Sequence, residues 1–308
     1  MLRSFSRLQF ACILTIAACA SSTTEPSTEP SGDVWIPRAP MLTSRKGAVS
    51  AVIGGRFFVA GGCCTSLNES HRTVEAYDPS TNTWTAMAQL PTSRYSSVAG
   101  LIDGILYVAS GLDSTTVEVY NPASDTWTTR TATMHAWRSF ATSAVLDGML
   151  YAIGGYHFST APSHRSVEAY DPATNRWIPK APMPVSFAFG AAGVVNGILY
   201  VAAGAYLLAY DPTSDTWATR APMPTPRYGA VSGVLNGLLY VAGGWEASGF
   251  TVVGALEVYD PATDTWTKKA QMSTIRAAAV GGVINSVLYV AGGLFIGPGL
   301  PSVEAYHP

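Results

Sequence analysis

From residue 45 onward the chain is built of short apolar runs that recur in a fixed order. The first run alternates small and larger apolar residues, as in "SVAGLIDG" (97–104) or "AVSGVLNG" (230–237), the period-two pattern of a strand. It closes on Asp103-Gly104, Asp147-Gly148, Asn196-Gly197 or Asn236-Gly237, pairs that suit a two-residue hairpin turn with both residues at positive φ. The second run is apolar and ends in glycine: "FFVAGG" (57–62), "LYVASG" (106–111), "LYAIGG" (150–155). After a stretch of variable length, "VEAYDP" (74–79) and its counterparts predict a third strand, whose Asp-Pro opens a turn. A tryptophan then opens a fourth.

These tryptophans stand at 35, 84, 127, 177, 217 and 266, so one unit spans 40 to 50 residues. Four strands in that length predict a propeller blade. The first strands, rich in Ala, Gly and Ser, would converge on the axis, and Tyr and Trp would pack between blades. The last unit stops at "SVEAYHP" (302–308) with no tryptophan after it. Its missing strand is expected at the other end of the chain, where "DVWIPRAPM" (33–41) matches "NRWIPKAPM" (175–183). The tyrosine-led strand with its glycine pair, followed by "VEAYDPSTNTW" (74–84), resembles the Kelch repeat, and the likeness covers essentially all of residues 33–308. The expectation is an all-β, six-bladed propeller with four antiparallel strands per blade, its last blade completed by the N-terminal strand.

Read across the units, one position before each first strand is arginine: Arg45, Arg94, Arg138, Arg227 and Arg276, with Phe187 in the fourth unit. The third strand carries Glu75, Glu118, Glu168, Glu257 and Glu304, and again the fourth unit departs, with Leu208. A ring of arginines at one mouth would suit an anion or an acidic sugar. The joint loss points instead to structural Arg–Glu pairs within each blade. Removing one partner of a buried pair is costly, whereas replacing both with apolar groups is tolerated.

Composition and charge then set limits. The chain has 308 residues, 48% hydrophobic and 12% charged, with a net charge of −2, so it has no basic footprint for nucleic acid. Arg3 and Arg7 followed by "LQFACILTIAA" (8–18) read as a signal peptide over residues 1–18. Ile16-Ala17-Ala18-Cys19 resembles the lipobox of bacterial lipoproteins, which implies a lipidated Cys19. Cleavage near Ala18 or Ala20 without a lipid is the alternative, and both readings export the protein. Residues 19–32 are then the anchor and a Ser/Thr/Pro tether. The expected address is the bacterial envelope, as an outer-membrane lipoprotein held to the membrane by its anchor alone. Cys63 and Cys64 are adjacent in an oxidising compartment, either as a vicinal disulfide or as two thiols.

The Kelch resemblance implies that loops after the second strand and before the first share the ligand-binding face. The loops after the second strand differ most, at 63–72, 156–165, 245–254 and 294–302, and the fourth unit has almost none. Tyr156, Phe158, Trp245, Phe250 and Phe295 are candidate exposed aromatics there, with His157, Glu69, Asp113 and Glu246 as polar candidates. They predict a monomeric recognition module for a glycan or a protein, with no cofactor, no metal and no catalytic residue singled out. The alternative is a sugar isomerase, since six Kelch blades and an exported address are similar to the periplasmic sialic-acid mutarotase. That chemistry needs an acid/base carboxylate and a positive group for the substrate's acid. The loop carboxylates and His157 are the candidates, and no spacing pairs them.

Overall fold

A computed structural model describes residues 32–63, 70–111, 114, 116–135, 138–156, 164–249, 251–294 and 297–308. The signal, residues 19–31 of the tether with Cys19, and Cys64, Glu69, Asp113, His157, Phe158, Phe250 and Phe295 lie outside them. The described residues contain strands and no helix, arranged as six four-stranded antiparallel sheets and a two-stranded one that pairs Arg227–Tyr228 with Trp245–Glu246. Blade one runs Val49–Ile53, Arg56–Ala60, Val74–Asp78 and Thr83–Met87 from the axis outward. Blades two to five repeat that order, with first strands Val98–Ile102, Thr142–Leu146, Ala191–Val195 and Val231–Leu235. Blade six takes Val280–Ile284, Val287–Ala291 and Val303–His307, and its outer strand is Val34–Arg38.

Local chemistry explains the hairpins. Asp103 and Gly104 sit at φ 50° and 75°, and Asn196 and Gly197 at 51° and 77°, the doubly left-handed turn that matches strand twist. Facing the axis, two positions per first strand are Ala, Ser or Gly in every blade, from Ala48 and Ser50 to Ala279 and Gly281. Six strands converge there, and larger side chains would collide.

Between blades the filling is aromatic. Each third strand carries a tyrosine without measurable exposure, Tyr77, Tyr120, Tyr170, Tyr210, Tyr259 or Tyr306. Each stacks on the tryptophan of its own blade and on an aromatic of the neighbouring blade. Tyr77 meets Tyr289 at 5.7 Å, Tyr120 meets Phe58 at 5.9 Å, and Tyr306 meets Tyr240 at 6.0 Å. Five of the tryptophans also donate their indole N–H to an alanine carbonyl in the preceding blade, as Trp84 does to Ala39 at 2.8 Å and Trp266 to Ala221 at 2.9 Å. Trp177 departs from this pattern: its indole nitrogen is buried and meets no acceptor among the described residues.

The ring is closed by backbone pairing. Val34–Arg38 runs antiparallel to Val303–His307, from Val34 opposite His307 to Arg38 opposite Val303. Trp35 stacks on Tyr306 at 5.2 Å and donates to the Ala270 carbonyl at 2.8 Å. Asp33 accepts from the Tyr306 hydroxyl and from the Ala270 N–H, both at 2.8 Å. The first and last described strands of the chain therefore share one blade, and neither leaves an open sheet edge inside the ring.

Candidate functional site

The arginines are scaffold. Arg94, Arg138, Arg227 and Arg276 meet Glu118, Glu168, Glu257 and Glu304 at 2.5 to 3.2 Å, and Arg45 meets Glu75. All ten side chains are at most 3% exposed. Each guanidinium also donates to backbone carbonyls at the end of its second strand, as Arg94 does to Ser110 O at 2.8 Å. Burial lowers the affinity of Arg45, Arg138, Arg227 and Arg276 for their protons, and the facing carboxylate acts in the opposite sense. Blade four buries Phe187 and Leu208 in one apolar cluster at the same place. An anion site on these cations is thereby set aside, because every one is committed to a carboxylate.

Two residues beyond each arginine position lies a belt around the axis. The N–H of Gly47 donates to Ala278 O, Ser96 to Gly47 O, Phe140 to Ser96 O, Phe189 to Phe140 O, Gly229 to Phe189 O and Ala278 to Gly229 O, at 2.7 to 3.2 Å. One residue from each blade thus joins a closed circuit of six hydrogen bonds. All six residues have φ between 51° and 63°. Glycine tolerates that conformation freely; for other residues it costs about 1–2 kcal/mol. Phe140 and Phe189 are therefore held in a strained backbone, where the belt keeps them.

Those two rings border an axial cavity of about 280 Å³. They lie 4.2 Å apart by centroid; Tyr95 meets Phe140 edge-on at 5.6 Å, and Trp245 meets Phe189 edge-on at 5.0 Å. Tyr95 and Trp245 reach the layer by a second route. A side chain on Gly47 would overlap the Tyr95 ring at 2.4 Å, and one on Gly229 would overlap Trp245 at 1.9 Å. Where the belt carries glycine, an aromatic from a neighbouring position covers it. The result is an aromatic arc over blades one to five, with Ala278 in blade six.

The cavity wall is polar and uncharged. Among the described residues no Asp, Glu, Lys, Arg or His lines it, and burial pushes the Tyr95 phenol up to about 12, so this part of the wall stays neutral across physiological pH. Ser50, Ser143 and Ser232 spend their hydroxyl protons on carbonyls of the preceding blade, Gly281, Ala99 and Ala192, at 2.7 to 2.9 Å. What these hydroxyls offer a guest is lone pairs. Ser143 Oγ also accepts from the Ala99 N–H at 3.1 Å, and Tyr95, Ser96 and Thr142 add further hydroxyls, so the wall offers uncharged hydrogen-bonding groups to a hydroxyl-rich guest.

The proposed loop contacts fare unevenly. Tyr156 is half-buried, and its N–H donates to Ser139 O at 2.7 Å. Glu246 is half-buried, and its N–H donates to Thr251 O at 2.8 Å. Trp245 corrects the expectation of an exposed rim aromatic. It is 3% exposed, because the space left by Gly229 takes its ring. Cys63 is fully buried, and Cys64, with the choice between a disulfide and two thiols, falls outside the described residues. Tyr95, Phe140 and Phe189 were not singled out by sequence. For Phe140 and Phe189 the signal was there in the position two after the arginine position, read across all six units; Tyr95 stands one residue earlier.

Comparison with known proteins agrees with the geometry. The Kelch motif matches residues 44–91, 138–184 and 226–273, which are blades one, three and five. The fold is a six-bladed β-propeller, and three of its six blades carry the Kelch motif. It is similar to Kelch-like protein 35 of Mus musculus, 40% identical over 76 residues, covering 25% of this chain and 13% of that protein. It is also similar to Kelch-like protein 33 of Homo sapiens, 42% identical over 67 residues, covering 22% of this chain and 12% of that protein. The matched segments thus span about an eighth of those relatives. Among solved structures, one titled "Structure of YjhT" superimposes with a TM-score of 0.74 over 86% of this chain and 95% of that one, at 18% identity, which speaks for the fold.

Proposed function

We propose that the propeller is a recognition module whose axial mouth holds an uncharged, hydroxyl-rich ligand, a neutral glycan, on an exported protein tethered through Cys19. The observation that carries this is the pair Phe140 and Phe189, kept in a strained left-handed backbone beside an uncharged cavity. Aromatic faces pack against the C–H face of a sugar ring, and the serine lone pairs accept from its hydroxyls. Catalysis on an acidic sugar is less well supported, since neither a carboxylate nor a cation lines the described cavity wall.

A glycan array probed with residues 31–308 tests the reading. Neutral glycans should be retained, and Phe189→Ala should weaken binding about tenfold or more while leaving the melting temperature near that of the parent, because Ala278 already occupies the equivalent belt position. Tightest binding to sialylated or uronic-acid glycans, or full retention by the variant, would overturn it. Export is checked separately: Cys19→Ser should abolish incorporation of labelled fatty acid in a bacterial host.

A further inference from the structure

Blade four differs from its neighbours on the cavity side as well. Only two residues separate its second and third strands, Ala203 and Tyr206, whereas blade two has seven between Ala109 and Val117 and blade one has thirteen between Ala60 and Val74. The short turn is packed against blade five: Gly204 exchanges both backbone hydrogen bonds with Arg227 at 3.0 Å, and the Tyr228 hydroxyl lies where a Gly204 side chain would be. The residue after Tyr228, Gly229, donates to the Phe189 carbonyl at 2.7 Å. Contacts therefore run outward from Phe189 through Gly229 and Tyr228 to the Gly204 turn, two residues before Tyr206, in the blade with the shortest stretch between its second and third strands. Tyr206 is 49% exposed, among the few large apolar side chains the described surface leaves open.

We infer that blade four is the entrance for a chain-like ligand. A neutral oligosaccharide would place one terminal unit in the axial cavity against Phe140 and Phe189 and run its next units outward over blade four, the second or third resting on Tyr206. This rests on the glycan reading above and adds to it a direction and a second stacking platform. An exposed tyrosine is suited to that role: it brings a large rigid face at low conformational cost.

Titration calorimetry with the full chain in detergent tests the entrance, using neutral gluco-, xylo- and N-acetylglucosamine oligosaccharides of about one to six units. Affinity in the best-bound series should rise about tenfold from the monosaccharide to the trisaccharide and then level off. Tyr206→Ala should erase that rise while leaving monosaccharide affinity within about twofold, and Tyr206→Trp should keep it. Phe189→Ala should weaken every length. If Phe189→Ala weakens binding but affinity is independent of length, or Tyr206→Ala matches the parent at every length, the entrance is wrong and the glycan reading survives. If no neutral series binds the parent, both fall.

Discussion

Blades two and four fill the same internal site in opposite ways. Blade two buries Arg94 against Glu118, and the pair is satisfied on all sides. The guanidinium reaches Ser110 O and the Thr116 hydroxyl, and the carboxylate accepts from the Thr92 N–H and hydroxyl. Blade four puts Phe187 and Leu208 there, 4% and 0% exposed, in an apolar cluster. Both solutions leave no orphaned charge. Burying two ions costs several kcal/mol of hydration each, which their mutual attraction and added hydrogen bonds only offset, so exchange for a packed apolar pair is near neutral. The site changes as a unit or not at all.

The comparison assumes that the blades are interchangeable units of one ring, and the closing blade tests that assumption hardest. Removing residues 33–38 strips blade six of its outer strand, of the Trp35 stack on Tyr306 and of the Asp33 contacts. Loss of the tryptophan alone should cost about 3–5 kcal/mol. The whole deletion should therefore exceed any point change in the protein and turn a cooperative melt into a broad one. A deletion variant that melts like the parent would show that the ring is held by side-chain packing and not by the shared blade.

Next in size is the exchange itself. Glu118→Leu leaves Arg94 buried without its carboxylate and should cost about 3–5 kcal/mol in urea denaturation. Arg94→Phe combined with Glu118→Leu copies blade four and should return to within about 1–2 kcal/mol of the parent. The reverse holds in blade four. Phe187→Arg should be severely destabilising, and adding Leu208→Glu should recover most of the loss. Additive costs in either double variant would mean that the two sites are not equivalent.

Much of this was legible in the sequence because it is local or pairwise and repeated. Asp-Gly and Asn-Gly turns, the Arg and Glu positions and the match of 33–41 to 175–183 each involve a residue pattern that recurs, so position-by-position comparison exposes them. The aromatic arc is different. Phe140 and Phe189 enter it from the belt, while Tyr95 and Trp245 enter by lying over Gly47 and Gly229. No single alignment column holds all four; only the convergence of the blades brings them together. Trp245 misleads for the same reason, since a loop position suggests exposure and the vacancy that buries it is a glycine in another strand.

The smallest expected effect concerns the turn before each outer strand, where the blades again use two residues for one task. Asn82 and Asn175 stand at this left-handed position in blades one and three, and Asp33, Asp125, Asp215 and Asp264 in blades six, two, four and five. All six accept from the tyrosine hydroxyl of their own third strand, at 2.7 to 2.8 Å. The backbone N–H groups of Ala270, Ala181 and Ala221, with those hydroxyls, hold the carboxyls of Asp33, Asp215 and Asp264 below the usual range. A depressed folded-state value stabilises the protein above the ordinary carboxylate pKa of about 4, and that contribution is lost as pH falls through the folded-state values. Amide side chains accept the same bonds without titrating. A triple variant, Asp33→Asn, Asp215→Asn and Asp264→Asn, should therefore match the parent closely near neutral pH and lose less stability than the parent on acidification from about pH 5 to pH 3. These carboxylates are close to solvent, so screening keeps the difference small. Equal acid sensitivity in the two proteins would show that these three turns do not set the pH dependence of stability.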